Sequence, residues 1–188
     1  ATYEWETTLV QLNLLGSHDA PRVLSIARGD KDSLRLATFL PMTFPGAPCI
    51  YYGDEIALRG TKRYDRPHRD QDARFPFPWH DTSQWDHDTL EFFRRVIALR
   101  HKHPALRNGR FEQAYAQDQL FAFWRFSKSE TLLVVINAGG ETAEVSLPSN
   151  ASQRVGSSPQ VVFGDAEIAA DVEPLRVKLP ARAAAVVG

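Results

Sequence analysis

Past residue 105 the chain reads as a series of short β-type runs, and that change of character constrains the fold more than any other feature. "FEQAYAQ" (111–117), "QLFAFWRFS" (119–127), "TLLVVINA" (131–138), "TAEVSL" (142–147), "QVVFG" (160–164), "LRVKL" (175–179) and "AAAVV" (183–187) are separated by Gly, Ser, Asn and Pro. Short strands with turn punctuation predict a small antiparallel sandwich or barrel. The first half is built differently. Residues 9–15, "LVQLNLL", are apolar and end at Gly16, which predicts a short strand buried on both faces. Asp30 is placed to cap a helix over 31–44, with Leu34, Ala37, Thr38, Phe39 and Phe44 on or near its buried side and Pro41 expected to kink it. "PGAPCIYYGDE" (45–55) then gives a Pro-Gly turn and a second buried strand that stops at Gly53. Strand, helix, strand with short links is the βαβ pattern of a parallel sheet. The chain therefore divides into an α/β segment, 1–104, and an all-β domain, 105–188.

Residues 59–88 lack any period and are rich in Pro, Asp, Arg, His and aromatics, as functional or mobile long loops are. Asp88 is expected to start an amphipathic helix that Pro104 closes after His103. "SNASQRVGSSP" (149–159) reads as a solvated loop.

Composition excludes several classes. With 22 Lys and Arg against 23 Asp and Glu, the chain carries no electrostatic footprint for nucleic acid or anionic lipid. One cysteine, Cys49, rules out an internal disulfide and a C-x-x-C site. No apolar run approaches the ~20 residues of a membrane span, and no basic-then-apolar leader opens the chain. It begins at Ala1 and its one methionine is Met42, so the visible start is expected not to be the gene's own.

The chemistry-bearing residues cluster in two places. "LNLLGSHDAPR" (12–22) ends its apolar run in Gly16-Ser17 and then sets His18 beside Asp19. Alone, such a pair reads more readily as a capping turn than as a site. His68, Asp70, Asp72, His80, Asp81, Asp86, His87 and Asp88 invite a metal reading, but no tight ligand spacing such as H-E-x-x-H occurs, and a solvated loop fits them better. Trp5, Trp79, Trp85 and Trp124 fit core packing or sugar stacking, with Trp79 the one beside the proposed site.

Taken in order, "LLGSHDAPR", "PGAPCIYYGDE" and "RFPFPW", then helix and β-domain, resemble the C-terminal part of the α-amylase family of glycoside hydrolases. The "GSHD" wording is closest to its cyclomaltodextrinase, neopullulanase and maltogenic amylase branch. The resemblance covers residues of about 10 to 140 and implies the last two βα units of a (β/α)8 TIM barrel followed by an antiparallel β-sandwich C-domain. On this resemblance residues 9–15 are the seventh barrel strand, 48–53 the eighth, and 88–103 the eighth helix. Barrel enzymes place their chemistry at the carboxyl ends of the strands, where Asp19 falls.

A retaining glycosidase needs a carboxylate nucleophile and a carboxylic acid ~5 Å apart. In this family a third carboxylate holds the sugar hydroxyls, and the resemblance assigns that transition-state-stabilising role to Asp19. It makes His18 the neighbouring sugar-binding histidine. Asp70 and Arg74 match the pair that holds a donor-side glucose unit, with Asp72 an equally placed alternative to Asp70. The nucleophile's G-x-R-x-D pattern is not met: Gly60-Thr61-Lys62-Arg63-Tyr64-Asp65 is one residue too long and follows the last strand. A whole barrel takes ~250 residues, so the nucleophile and acid/base are expected on an upstream part of the barrel and this chain alone is expected to be inactive.

The resemblance implies α-glucan oligosaccharides (maltodextrin or cyclodextrin) as substrate; no cofactor and no metal are expected. It leaves the rest of the barrel, or self-association through exposed barrel edges, as partner. One cysteine and the branch tilt the expected compartment to the cytoplasm. Two other functions stand beside this one. A non-catalytic carbohydrate-binding or interaction module would centre on the β-domain, with Phe121, Phe123 and Phe126 or Trp124 supplying one face. An HD-type phosphohydrolase would use His18-Asp19 as a metal dyad, but that fold is helical while residues 9–15 read as strand.

Overall fold

Asp30 sets the start of a 13-residue helix in the first half: its Oδ1 accepts from the Asp32 and Ser33 amides and its Oδ2 from Ser33 Oγ. The structure, a computed structural model, describes residues 3–60, 73–147, 151–156, 158–169 and 174–188. They fall into two compact units, Ala1–Met42 with Gly46–Ala98, and Thr43–Pro45 with Leu99–Gly188.

The first unit opens with α1 (Trp5–Leu9), β1 (Leu12–Leu14) and α2 (Val23–Ile26), followed by α3 (Lys31–Thr43) and β2 (Ala47–Cys49). Two short 3-10 turns, Asp54–Ile56 and Thr82–Gln84, lead to α4 (His87–Lys102). The helix α3 runs unbroken through Pro41, stops two residues later, and buries Leu34, Thr38, Phe39 and Met42. Strands β1 and β2 pair in parallel, Leu12 with Ala47 through Leu14 with Cys49, so strand, helix and parallel strand are present in that order.

Both strands are shorter than the sequence suggests, and β1 is not buried on both faces. Residues 5–9 close into α1, and Leu12 and Leu14 remain 61% and 47% exposed because β2 is the neighbour of β1 among the described residues. The second strand ends at Cys49, leaving Tyr51 and Tyr52 free to turn elsewhere. The cap of α4 is also displaced: the Thr89 amide donates to Asp86 Oδ1 at 2.7 Å, so Asp86 and not Asp88 begins the helix. Lys31 donates to the other Asp86 oxygen.

The second unit contains α5 (Pro104–Asn108), β3 (Arg110–Gln117), β4 (Leu120–Phe126), β5 (Thr131–Asn137), β6 (Ala143–Ser146), α6 (Ala151–Val155), β7 (Val161–Gly164), β8 (Glu167–Ala169), β9 (Arg176–Leu179) and β10 (Ala183–Val187). Among the described residues these strands make a five-stranded sheet, β3-β4-β5-β10-β7, and a three-stranded sheet, β6-β9-β8, with antiparallel pairing throughout. Alternate residues of the two sheets meet in one core: Trp124, Leu133, Val135, Ala185 and Val187 from one, Val145, Val177 and Leu179 from the other. Strand β10 lies inside its sheet, with β5 on one side and β7 on the other. Gly164, at φ +86°, is required there, since a Cβ would stand 2.0 Å from the Ala184 carbonyl oxygen.

Two features of this unit escape the sequence pattern. Residues 151–155 form α6 where a solvated loop is expected, because Ala151 and Val155, four apart on one helix face, cover the core. Strand β8, three residues long, is too short to announce itself. Arg125 is fully buried and donates to the carbonyl oxygens of Thr43, Gly109 and Arg110, so its charge is solvated by backbone.

Candidate active site

The turn after β1 presents His18 and Asp19 at the carboxyl end of that strand. Asp19 N donates to Ser17 Oγ at 3.2 Å and Ala20 N to Ser17 O at 3.3 Å, folding the backbone back so that both side chains face outward. Gly16 lets the turn start close to its neighbours: a Cβ there would sit 3.2 Å from Asp54 Oδ2 and 3.5 Å from Val23 Cγ2.

Arg74 meets this turn from 55 residues further along the chain. Its Nη2 donates to Asp19 Oδ1 at 2.9 Å and its Nε donates to the His18 carbonyl oxygen at 2.9 Å. His18 Nε2 lies 3.1 Å from the other Asp19 oxygen, Oδ2. The Asp19 carboxylate is thus gripped at both oxygens while its side chain stays 70% exposed, with His18 at 63% and Arg74 at 58%. An exposed carboxylate fixed by two polar neighbours is suited to hydroxyl groups of a bound ligand. Three of the four site residues read from the sequence therefore converge; the fourth, Asp70, lies outside the described residues, as do Asp65, His68 and Asp72.

Beneath this surface lies an arrangement that local sequence does not announce. Arg22, three residues after Asp19, is 2% exposed. It donates to the Tyr52 carbonyl oxygen and, through Nη2, to the Ala73 carbonyl oxygen at 2.9 Å. Its guanidinium sits over the Tyr51 and Tyr52 rings at 4.8 and 4.7 Å from their centroids. Asp54 Oδ1 is 3.7 Å from Arg22 Nη1. Burial pushes the Asp54 carboxyl up to about 6 against the pull of Arg22, with Glu55 adding to the rise. Burial, with the neighbouring Tyr52, also raises the Tyr51 phenol, which stays a proton donor. The partners of Arg22 lie 30 and 51 residues away, so nothing near position 22 distinguishes it from a solvent-facing arginine.

Beyond the site, Phe77, Trp79 and Trp85 form an aromatic cluster, with Phe77 and Trp79 centroids 4.3 Å apart and Trp79 68% exposed. Trp85 is anchored by its Nε1, which donates to the Pro78 carbonyl oxygen at 3.1 Å. Asp81 caps the turn that follows, and hydrogen bonds from Gln84 and Ser83 lower its carboxyl. Among the described residues no three His, Cys, Asp or Glu side chains converge as metal ligands would.

Comparison with known proteins agrees over both units. Residues 2–87 match the family model "Alpha amylase, catalytic domain" and residues 111–186 match "Maltogenic Amylase, C-terminal domain". A cyclomaltodextrinase of Geobacillus thermopakistaniensis is 33% identical over 95% of this chain and 29% of its own length. Neopullulanase 2 of Thermoactinomyces vulgaris is 37% identical over 72% of this chain and 22% of its own. The native form of a debranching enzyme from Nostoc punctiforme superposes with a TM-score of 0.80 at 36% identity, over 99% of this chain and 37% of that one. The chain therefore spans less than a third of the length of these two curated relatives.

Proposed function

Since the chain belongs to the α-amylase family, as the C-terminal part of its barrel followed by its C-domain, we propose that it completes the active site of a retaining α-glucan hydrolase. The observation that carries this is the convergence of His18, Asp19 and Arg74, from two distant segments, at the carboxyl end of β1. Asp19 is the transition-state-stabilising carboxylate: it takes hydrogen bonds from sugar hydroxyls as positive charge builds at the anomeric carbon. Arg74 and His18 keep the carboxylate aimed and offer their remaining donors to the sugar. Asp70 is assigned the donor-side glucose unit with Arg74 on the family resemblance alone.

The nucleophile and the acid/base are carried by barrel strands outside these 188 residues. Those strands are also the proposed cover for the exposed faces of β1. The substrate class is maltodextrin or cyclodextrin, in line with the names of the relatives. Asp19→Asn, made in the protein that carries the complete barrel, is expected to lower kcat by at least ~10²-fold while leaving the unfolding midpoint within experimental error. Near-normal turnover would sink the assignment.

A further inference from the structure

One backbone oxygen beside the site is closely surrounded by donor groups. The carbonyl of Ala73, a residue 1% exposed, accepts from Arg22 Nη2 at 2.9 Å and Tyr51 Oη at 2.9 Å, with Tyr52 Oη 3.3 Å away. Tyr52 Oη donates to the Phe75 carbonyl oxygen at 2.8 Å. The peptide between these two carbonyls carries Arg74, the residue that reaches Asp19 and His18. A carbonyl has two lone pairs, which Arg22 and Tyr51 fill, while the single Tyr52 hydroxyl hydrogen goes to Phe75 at the shorter distance and holds the other end of the same peptide. With Arg22 and Ala73 buried, the linked hydrogen bonds fix geometry more firmly than each would singly.

The anchor side of the clamp is as constrained as the gripped side. Arg22 belongs to the loop that carries His18 and Asp19, and it donates to the Tyr52 carbonyl while resting on both tyrosine rings. Tyr51 and Tyr52 follow β2 after Ile50. Gly53, at φ +89°, makes the turn behind them; a Cβ there would lie 2.9 Å from Arg22 Nη1 and 2.8 Å from Leu58 Cδ2. The same guanidinium therefore ties the loop after β1, the end of β2 and the segment bearing Arg74 together.

We propose that Arg22, Tyr51 and Tyr52 are positioning residues that hold the Ala73 and Phe75 carbonyls and thereby set where the Arg74 guanidinium meets Asp19. They touch no substrate. Their effect on turnover runs through Arg74, so it depends on Arg74 being present. This rests on the active-site reading above.

A double-mutant cycle on kcat/KM for maltodextrin hydrolysis, in the protein that carries the complete barrel, tests it. Tyr51→Phe removes one donor to Ala73 and keeps the ring, and it is expected to lower kcat/KM about fivefold. Introduced into an Arg74→Ala background, the same change is expected to cost less than about twofold, because nothing is left to aim. Equal losses in the two backgrounds overturn the proposal. Arg22→Lys exchanges a buried fork for a point charge and endangers the fold, so the second measurement also uses Tyr51→Phe. The Arg74 Nε–H resonance of the protein that carries the complete barrel is expected to move toward that of free arginine, and an unmoved resonance overturns the clamp. The two readings fail separately: an active Asp19→Asn variant removes the active-site reading while the resonance still judges the clamp, whereas an inactive Asp19→Asn with equal Tyr51→Phe losses removes the clamp alone.

Discussion

Asp54 shows at the scale of one residue how burial becomes a dependence on pH. Its carboxyl is raised from 3.8 to about 6 by desolvation, so folding favours the protonated form. The contribution is full below pH 3.8 and is lost as pH rises through about 6. A shift of that size is worth about 3 kcal/mol across the window. Arg22 and Glu55 are the charges that face it, one opposing the rise and one adding to it. Urea midpoints of the wild type and Asp54→Asn, taken from pH 4 to pH 7, should diverge, with the variant gaining on the wild type as pH rises. Parallel profiles would show that Asp54 titrates normally. The buried Arg22–Asp54 pair also marks where sequence reading stops. Tyr51, Tyr52 and Asp54 stand together in "PGAPCIYYGDE", but that their partner is Arg22 is fixed by contacts made across the fold.

Elements depend on their ends, and α4 depends on Asp86. Burial alone would raise this carboxyl, but hydrogen bonds from Lys31 and from the Thr89 amide, with the Lys31 charge, hold it at about 2. It is a depressed carboxylate: its contribution is present above pH 3.8 and is lost as pH falls through about 2. Asp86→Ala should therefore cost about 1–2 kcal/mol, as removal of a good N-cap does, by a similar amount at any pH from 5 to 8. Chemical denaturation at two pH values in that range checks it, and an unchanged midpoint would place the cap elsewhere. The helix itself is plain in the sequence through Leu90, Phe93, Val96, Ile97 and Leu99, whereas choosing between Asp86 and Asp88 required the hydrogen bond. The same holds for α6, whose five residues carry too few apolar positions to declare a period.

For the whole molecule, the exposed apolar residues of the first unit are the dominant liability. Val10, Leu12, Leu14 and Leu15 all reach solvent around a two-stranded parallel sheet. Bare strand edges flanked by apolar side chains template association. The 188-residue chain is expected to self-associate at micromolar concentration, and Leu12→Lys with Leu14→Lys to shift it toward monomer; sedimentation velocity independent of concentration in the unaltered chain would contradict this. The order of motifs, strand, helix, strand, then many short strands, made the architecture legible because each step changes the hydrophobic period. The candidate site was half legible. His18, Asp19 and Arg74 are named by their motifs, but their hydrogen bonds join positions 55 and 56 apart, which no local pattern encodes.

The interior placement of β10 also governs when the second unit is able to form. As the chain leaves the ribosome, β4 pairs with β3 and β5 with β4, each as soon as it emerges. The strand β7 emerges without a partner and stays so until β10 arrives to join it to β5. Closure brings Gln160 and Gly188 into a reciprocal pair of backbone hydrogen bonds at 2.8 and 3.0 Å. The strand β10 is thus the keystone of this sheet: until residues 183–187 are translated, β5 keeps an open edge and β7 has nothing to pair with among the described strands.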